Sequence, residues 1–377
     1  MNSRSTKDAL RALLERNRGA YLSGAQIASE LKISRTAIWK AVESLRAEGY
    51  EIRSVKAKGY SLAPDTDIVS APGVARYLTG PGSFADAKEL SEGASDLSIE
   101  VFDVVGSTNT LLKERAAAGA REGTVIIANS QTGGKGRMGR SFFSPSNTGL
   151  YISVLLRPMD LPAERALKIT TMAAVSACAA IEALFTEDGD RTENENAGHS
   201  DNEDVKPTAD ANDVHNVNPE NRPLIKWVND IFLRDLKVAG ILTEASISME
   251  SGRLEYAVLG IGFNVYEPEG GFPKEIRGIA GAILKERIPD AKNRIAAVFL
   301  QKFFEIYRAP DHAGYEAEYK ARSLVIGKDV DVISTGGAGS RRAHVLDINE
   351  DCNLVVRFED GSSGVLSSGE VSVRPKK

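Results

Sequence analysis

The hydrophobic positions near the start of the chain recur at helical spacing. Leu10, Leu13 and Leu14 fall on one face of a predicted helix. A second segment, SGAQIASELKIS, opens with Ser23 and has Gln26 three residues later, which is the order of a capping box at the start of a helix. These two segments therefore predict two short amphipathic helices.

A third segment, RTAIWKAVESLRAEGY, follows after a short connection. Its apolar stripe contains Ile38, Val42 and Leu45, and Gly49 ends it. Two helices joined so closely, the second with basic and hydroxyl side chains near its start, are typical of a helix-turn-helix that enters a major groove. The alternating sequence YEIRSVKAKGYSL, which also carries Arg53, predicts a hairpin wing. The predicted DNA contacts of the helix and the wing are Ser34, Arg35, Thr36, Lys40, Arg46, Lys56 and Lys58.

The pattern changes after residues 64–72, whose prolines, aspartates and serines predict a linker. From Leu97 onward, apolar runs at 125–129 and 150–156 predict strands and residues 162–185 predict a helix. Strands interleaved with helices are typical of α/β and α+β domains. The expected fold class is therefore α+β multidomain, with an N-terminal winged helix-turn-helix before a central mixed α/β domain.

Residues 187–222 interrupt this pattern. They contain eleven acidic and three basic residues, and no aromatic residue, Leu or Ile. Such a segment buries too little apolar surface to offset the entropy of ordering, so we expect a disordered acidic insertion. His199 and His215 lie within it, and we interpret them as solvated loop residues, with metal binding as the alternative.

The chain ends in short alternating segments that follow Arg322 and are separated by Gly, Asn and Asp. This pattern predicts a small C-terminal β-barrel.

Charge and cysteine content narrow the class of protein. Residues 1–62 carry a balance of +6 and the rest of the chain −11, within a net charge of −5. A basic head on an acidic body favours a nucleic-acid-binding domain joined to a second function. The two cysteines, Cys178 and Cys352, do not form a disulfide framework, and no export signal opens the sequence, so a cytoplasmic location is expected. The uncharged run 169–181 is too short for a membrane span and predicts a buried helix.

Four segments of the central region combine glycine or amide groups with charge. GSTNT at 106–110 supplies hydroxyl and amide groups, although helix capping alone would also explain it. SQTGGKGRMGRSFFSP at 130–145 is neither a dinucleotide fingerprint nor a Walker A loop, but its backbone amides and cations suit anionic oxygens. IKWVNDIFL at 225–233 and KVAGILTE at 237–244 could each be an ordinary strand and turn. Together the four segments supply cations, a carboxylate able to hold Mg²⁺ and aromatic side chains able to cover a base.

This inventory favours a reaction limited by charge and positioning. No Ser-His-Asp or Cys-His set competes with it in the sequence. Activation of a carboxylate by ATP brings two anions together at a crowded phosphorus centre, so cations must dominate the site.

The segments STN, QTGGKGRMGRSFFSP, KWVNDIFL, KVAGILTEAS and LGIGFNV, in this order, resemble the catalytic domain of biotin protein ligases. The N-terminal ISRTAIWKAVESLRAEGYEI and KGYSL resemble the regulatory domain of the bifunctional members, which also repress biotin operons. The ending SSGEVSVR is similar to their small SH3-like C-terminal domain. The resemblance implies a winged helix-turn-helix at 1–64, a ligase domain at 65–322 and an SH3-like domain at 323–377.

The resemblance also implies a two-step reaction through biotinyl-5′-AMP, with ATP and Mg²⁺, that ends on a lysine of a biotin carboxyl carrier domain. Arg137 and Lys237 are the implied catalytic residues, and Asp230 is the implied Mg²⁺ contact. The implied biotin-binding residues are Ser107, Thr108, Asn109, Gln131, Gly134, Lys135, Gly136, Arg137, Lys237 and Gly240. The implied ATP-binding residues are Arg140, Phe142, Asn229, Asp230 and Asn264.

Three positions depart from the family pattern. The family usually has Arg in place of Lys135, Trp in place of Phe142 and Pro in place of Val228. The first change replaces a fork of donors by a point charge, the second reduces stacking area, and the third loosens a turn. We expect these changes to alter affinity more than activity.

The resemblance further implies that the glycine-rich loop orders over biotinyl-AMP. That ordering would promote a two-fold dimer that binds a palindromic operator. The alternatives are a biotin-sensing repressor without ligase activity and a ligase for lipoate or another acyl acid.

Overall fold

A computed structural model describes eight stretches of the chain: residues 6–79, 97–158, 166–194, 218–248, 253–309, 314–334, 339–367 and 371–375. The sections below concern these residues.

The N-terminal region forms the predicted winged helix-turn-helix. Its elements are α1 (Thr6–Arg16), α2 (Gly24–Leu31), α3 (Arg35–Ala47), β1 (Ile52–Val55) and β2 (Gly59–Leu62). The Ser23 hydroxyl accepts from the Gln26 amide at 3.2 Å, and the Gln26 side chain accepts from the Ser23 amide at 2.8 Å, so the capping box is confirmed. Leu10, Leu13 and Leu14 are buried, as the helical spacing predicts.

The predicted linker is partly helical. Helix α4 (Ala71–Thr79) includes Pro72, whose missing amide hydrogen has no helical partner in the first turn anyway. The residues before α4 are held by buried polar contacts: the Ser70 amide donates to Asn293 Oδ1 at 3.0 Å. The Arg18 guanidinium contacts Glu15 at 2.7 Å and Asp290 at 3.0 Å. The N-terminal region therefore packs on the central region through a buried charge cluster.

The central region contains a seven-stranded sheet in the order β3-β4-β5-β9-β8-β7-β6. Strands β3 and β4 are parallel, and the other neighbours are antiparallel. The sheet is thus mixed, as expected. Its strands are β3 (Ser98–Val105), β4 (Thr124–Gln131), β5 (Gly149–Leu156), β6 (Leu224–Lys226), β7 (Asp230–Leu233), β8 (Leu236–Ile247) and β9 (Leu254–Asn264), and its helices are α5 (Thr108–Ala117), α6 (Ala166–Asn194) and α7 (Ala291–Arg308).

Helix α6 is the core helix that the sequence predicts, but it is longer than expected. Its apolar window Ala166–Phe185 has the length and composition of a membrane span, yet 72% of that window is buried within the protein, as in a core helix. Residues 187–194 continue the helix, and Pro219–Asn221 form a short 3₁₀ turn. Both ends of the acidic insertion thus have secondary structure, and its disorder stays a prediction. The remainder, 195–217, lies outside the described residues, together with His199 and His215.

The C-terminal region is an antiparallel sheet preceded by α8 (Tyr315–Ala321). Its strands pair in the order β13-β12-β11-β10-β14, so the predicted β structure is confirmed. The indole nitrogen of Trp227, in the central region, donates to the Cys352 carbonyl at 2.9 Å and joins the two regions. The strands are β10 (Asp329–Ser334), β11 (Ser340–Ile348), β12 (Leu354–Phe358), β13 (Ser363–Leu366) and β14 (Val371–Pro375).

Candidate active site

The predicted biotin-binding side chains meet where α5 begins beside the end of β4. Ser107 caps α5, and its hydroxyl accepts from the Thr110 amide at 3.5 Å. The carboxamide oxygen of Gln131 accepts from the Thr108 amide at 2.9 Å and from the Thr108 hydroxyl at 3.1 Å. The Gln131 Nε2 group donates to the Ser144 hydroxyl at 3.1 Å. These bonds tie the GSTNT segment to the glycine-rich segment.

The glycine-rich segment folds back on itself as a small loop. The Phe142 amide donates to the Gly134 carbonyl at 2.9 Å, and the Gly136 amide donates to the Arg140 carbonyl at 2.7 Å. A Cβ at Gly134 would lie 2.4 Å from the Phe142 carbonyl oxygen, so only glycine fits there without displacement. The Arg140 side chain is exposed, and Lys135 lines the groove beside α5.

Four polar residues form a chain of contacts across β7 and β8. Arg137 Nη1 donates to Asn229 Oδ1 at 3.0 Å, and Asn229 Nδ2 donates to Asp230 Oδ1 at 3.1 Å. Lys237 Nζ lies 2.6 Å from the same Asp230 oxygen. Burial lowers the pKa of Arg137, although Asp230 opposes the shift. An arginine stays cationic at any physiological pH, so the direction of this shift indicates a desolvated positive charge.

The ring of Phe142 lies on a surface formed by two glycines of adjacent strands. A Cβ at Gly262 would lie 2.5 Å from the ring, and a Cβ at Gly240 would lie 3.1 Å from both the ring and Lys237 Nζ. The cavity left in the groove measures about 30 Å³, whereas ligand pockets usually measure about 300–1,000 Å³. Phe142 is therefore part of the wall of the groove that the predicted biotin-binding residues line.

Asn109 makes its hydrogen bonds with protein groups. Its Nδ2 donates to the Leu242 carbonyl at 3.2 Å and to Glu244 Oε2 at 2.9 Å, while its Oδ1 accepts from the Ser153 hydroxyl at 2.6 Å. Sequence reasoning missed Glu244 and Ser153. Glu244 lies within the KVAGILTE segment. Its contact with Asn109 could not be found from the sequence, because it depends on how α5 packs on the sheet.

The predicted adenine contact Asn264 stands at the end of β9. Its Nδ2 donates to the Lys237 carbonyl at a long 3.4 Å. Two residues later, the Tyr266 hydroxyl donates to Asp67 Oδ2 of the linker at 2.6 Å. The end of β9 thus lies between the candidate site and the segment that leads to the DNA-binding region.

Asp230 is a carboxylate in contact with Lys237, a candidate phosphate contact. Among the described residues, no group of three or more His, Cys, Asp or Glu side chains could hold a metal ion alone. Mg²⁺ commonly uses one or two carboxylates together with substrate phosphates, and Asp230 beside the Asn229 amide fits that donor set.

Helix α3 and the wing together present most of the predicted DNA contacts to solvent. Arg35, Thr36 and Lys40 are exposed on the helix, and Lys56 and Lys58 are exposed on the wing. Ser34 is the N-cap of α3, and its hydroxyl accepts from the Ala37 amide at 3.2 Å.

Arg46, also a predicted DNA contact, is partly exposed and lies between α3 and the wing. Its guanidinium donates to the Ile52 carbonyl at 2.6 Å and to the Ser54 hydroxyl at 3.2 Å, so it braces the wing against α3. Helical spacing could not reveal this contact because the hairpin folds back onto that side of the helix.

Comparisons with known proteins agree with this architecture. Residues 101–264 match the Biotin/lipoate A/B protein ligase family, and residues 6–61 match the HTH domain. The chain is 29% identical over 380 residues to the bifunctional ligase/repressor BirA of Bacillus spizizenii. The alignment covers 98% of each chain. The chain is 29% identical over 290 residues to the biotin–acetyl-CoA-carboxylase ligase of Mycobacterium tuberculosis, with 75% of this chain and 91% of that relative covered. A biotin protein ligase from Aquifex aeolicus, solved in complex with biotin and ATP, has a similar fold: the TM-score is 0.54 at 22% identity, over 74% of this chain and 99% of that one.

Proposed function

We propose that this chain is an ATP-dependent biotin protein ligase that also represses transcription. Along nearly its whole length it is similar to a bifunctional ligase/repressor, and its residues 101–264 match the biotin/lipoate A/B protein ligase family. The observation that carries the proposal is the Arg137–Asn229–Asp230–Lys237 cluster beside a groove lined by Thr108 and Gln131. Two cations and hydroxyl and amide groups meet there, as the joining of two anions requires.

In the first step, a biotin carboxylate oxygen attacks the α-phosphorus of ATP. The bond from that phosphorus to the bridging oxygen breaks, pyrophosphate leaves, and biotinyl-5′-AMP forms. Arg137 and Lys237 neutralise the charge that gathers on the carboxylate and the phosphorus oxygens: Lys237 Nζ lies beside Gly240 of the groove, and Arg137 joins the same cluster through Asn229. Asp230, with Asn229 beside it, would hold Mg²⁺ against the phosphates, and the ion supplies further neutralisation of their charge.

In the second step, the amine of a lysine on a biotin carboxyl carrier domain attacks the acyl carbon. An amide bond forms, AMP leaves with its phosphate charge held by the same cations, and the attacking amine loses one proton. The reaction needs no covalent bond to the enzyme, which agrees with a site built from cations and amides.

We assign the ureido end of biotin to the hydroxyls of Ser107 and Thr108 and to Gln131, with the backbone from Gly134 to Gly136 closing over it. Asn109 supports this end through its contacts with protein. Phe142 leaves its place on Gly240 and Gly262 when biotin enters, since its ring covers those two groove residues. The displaced ring then covers the adenine, with Arg140 and Asn264 as further ATP contacts.

The regulatory half of the proposal concerns residues 1–64. Biotinyl-AMP orders the glycine-rich loop, the protein forms a two-fold dimer, and the α3 helices enter successive major grooves of an operator. The Tyr266–Asp67 hydrogen bond supports a route from the end of β9 to the linker before the DNA-binding region. The remaining assignments are a ligase domain at 65–322, an SH3-like barrel at 323–377 and a cytoplasmic location.

The adenylation step can be tested separately from transfer. The purified chain is incubated with biotin and Mg·ATP, and pyrophosphate release and biotinyl-AMP are measured. We expect release that depends on biotin and is unaffected by lipoate. Release that lipoate supports equally, or none with either acid, contradicts the assigned substrate.

A further inference from the structure

The carboxylate of Glu244 joins strand β8 to helix α5 beside the groove. Its Oε2 accepts from Asn109 Nδ2 at 2.9 Å, and its Oε1 accepts from Lys113 Nζ at 2.6 Å. Asn109 and Lys113 are four residues apart on α5, so they lie on one face of the helix. One carboxylate therefore binds the first and second turns of the helix to the sheet.

These contacts fix the orientation of the Asn109 amide. Its Nδ2 faces two acceptors, Glu244 and the Leu242 carbonyl, and its Oδ1 faces the donor hydroxyl of Ser153. A flipped amide would place its oxygen against a carboxylate, which is electrostatically unfavourable. The side chain is 4% exposed.

Asn109 is also wedged against the strand backbone. A Cβ at Gly260 would lie 2.1 Å from Asn109 Oδ1, so the amide occupies the space that the missing side chain leaves. Asn109, Leu242 and Gly260 all line the groove. A displacement of Asn109 would therefore move both the groove wall and the first turn of α5, which carries Thr108.

We propose that Glu244 is a positioning residue of the biotin site, which holds the first turn of α5 where Ser107, Thr108 and Gln131 contact the ureido ring. The inference rests on the proposed function. Glu244 does not line the groove, so it acts through Asn109. Burial alone would raise the pKa of Glu244, but the hydrogen bonds from Lys113 and Asn109 outweigh it and lower the pKa, which keeps the carboxylate ionised at neutral pH.

Steady-state adenylation by the full chain tests the inference. In Glu244→Ala one of the two acceptors for Asn109 Nδ2 is lost and the Leu242 carbonyl remains, and we expect KM for biotin to rise about tenfold, with KM for ATP unchanged. Glu244→Gln keeps a carbonyl that accepts from Asn109, so KM for biotin should stay within about threefold of that of the unsubstituted protein. Glu305→Ala removes a surface carboxylate that pairs with Lys302 at 2.9 Å, and it serves as the matched control.

The double variant Lys113→Glu with Glu244→Lys separates the role of the ion pair from that of the hydrogen bond that Glu244 accepts from Asn109. It restores an ion pair but offers Asn109 no acceptor at position 244, so thermal stability should recover relative to Lys113→Glu while KM for biotin stays high. An unchanged KM for biotin in Glu244→Ala, or a KM restored by the exchanged pair, overturns the inference and leaves the proposed function standing. An unsubstituted protein that forms no biotinyl-AMP overturns both. Should Glu244→Ala not fold, the other two variants still test the inference: we expect a near-normal KM for biotin in Glu244→Gln and a high one in the exchanged pair.

Discussion

Lys237 Nζ lies 2.6 Å from Asp230 Oδ1, and the two residues occupy adjacent strands, β8 and β7. Both side chains are about a quarter exposed, so solvent reaches the pair. Each neutralises the charge that the other would present to Mg·ATP. When Mg·ATP binds, Lys237 would pair with phosphate oxygens and Asp230 with the metal ion. Neither side chain would then be left with an unpaired charge.

Replacement of Lys237 by Ala should lower the rate of biotinyl-AMP formation about 10²- to 10³-fold, because the site loses a cation that acts on charge developing at phosphorus. Biotin-dependent pyrophosphate release measures this rate. Lys302→Ala, on the surface of α7, is the matched control and should keep the normal rate. A normal rate in Lys237→Ala would refute the assigned role.

Truncation of Phe142 should separate the two substrates. Phe142→Ala removes the ring from Gly240 and Gly262, so biotin alone should bind at least as tightly as before. The KM for ATP should rise about tenfold, because stacking on a base contributes about 1–3 kcal/mol. Calorimetry and initial rates measure the two effects, with the neighbouring Phe143→Ala as control. Weaker biotin binding with an unchanged KM for ATP would show that the ring belongs to the biotin site alone.

The DNA-binding surface predicts a contrast between two arginines. Arg35 is exposed at the start of α3, whereas Arg46 braces the wing. Arg35→Ala should weaken binding to DNA selected from a random pool about tenfold or more, with no loss of thermal stability. Arg46→Ala should lower the unfolding temperature of the N-terminal region as well. Equal stability of the two variants would mean that the Arg46 contacts do not hold the wing.

The buried charge cluster predicts a large change in stability. Arg18 is 5% exposed and contacts Glu15 and Asp290, which are 1% and 3% exposed. Arg18→Met leaves the buried Glu15 carboxylate without its cation and Asp290 with Arg76 alone, so the free energy of unfolding should fall by about 3–5 kcal/mol. Arg16→Met breaks an exposed pair with Glu30 and should cost less than about 1 kcal/mol. Chemical denaturation measures both, and similar losses would contradict the account of the cluster.

The sequence predicted those features that depend on local order along the chain. The capping box at Ser23, the strands at 125–129 and 150–156 and the winged helix-turn-helix follow from spacing and periodicity. The clustering of Arg137, Asp230 and Lys237 was predicted because their segments occur in the same order as those of the biotin protein ligases that the sequence resembles.

Contacts made only by folding could not be predicted in this way. The place of Phe142 depends on two glycines brought side by side by the pairing of β8 with β9. The Glu244–Asn109 contact depends on the packing of α5 against the sheet, and the role of Arg46 depends on the return of the wing. Composition alone also did not show that the helix beginning at Ala166 extends to Asn194.

Transfer of biotin to a carrier domain tests the central claim most directly. A purified biotin carboxyl carrier domain is incubated with the chain, biotin and Mg·ATP, and its intact mass is measured, with a Lys→Arg substitution at its acceptor lysine as control. We predict the gain of one biotinyl group, only when ATP is present and only on the domain with its lysine. No gain in mass, from a protein that binds biotin and is fully folded, would contradict the account.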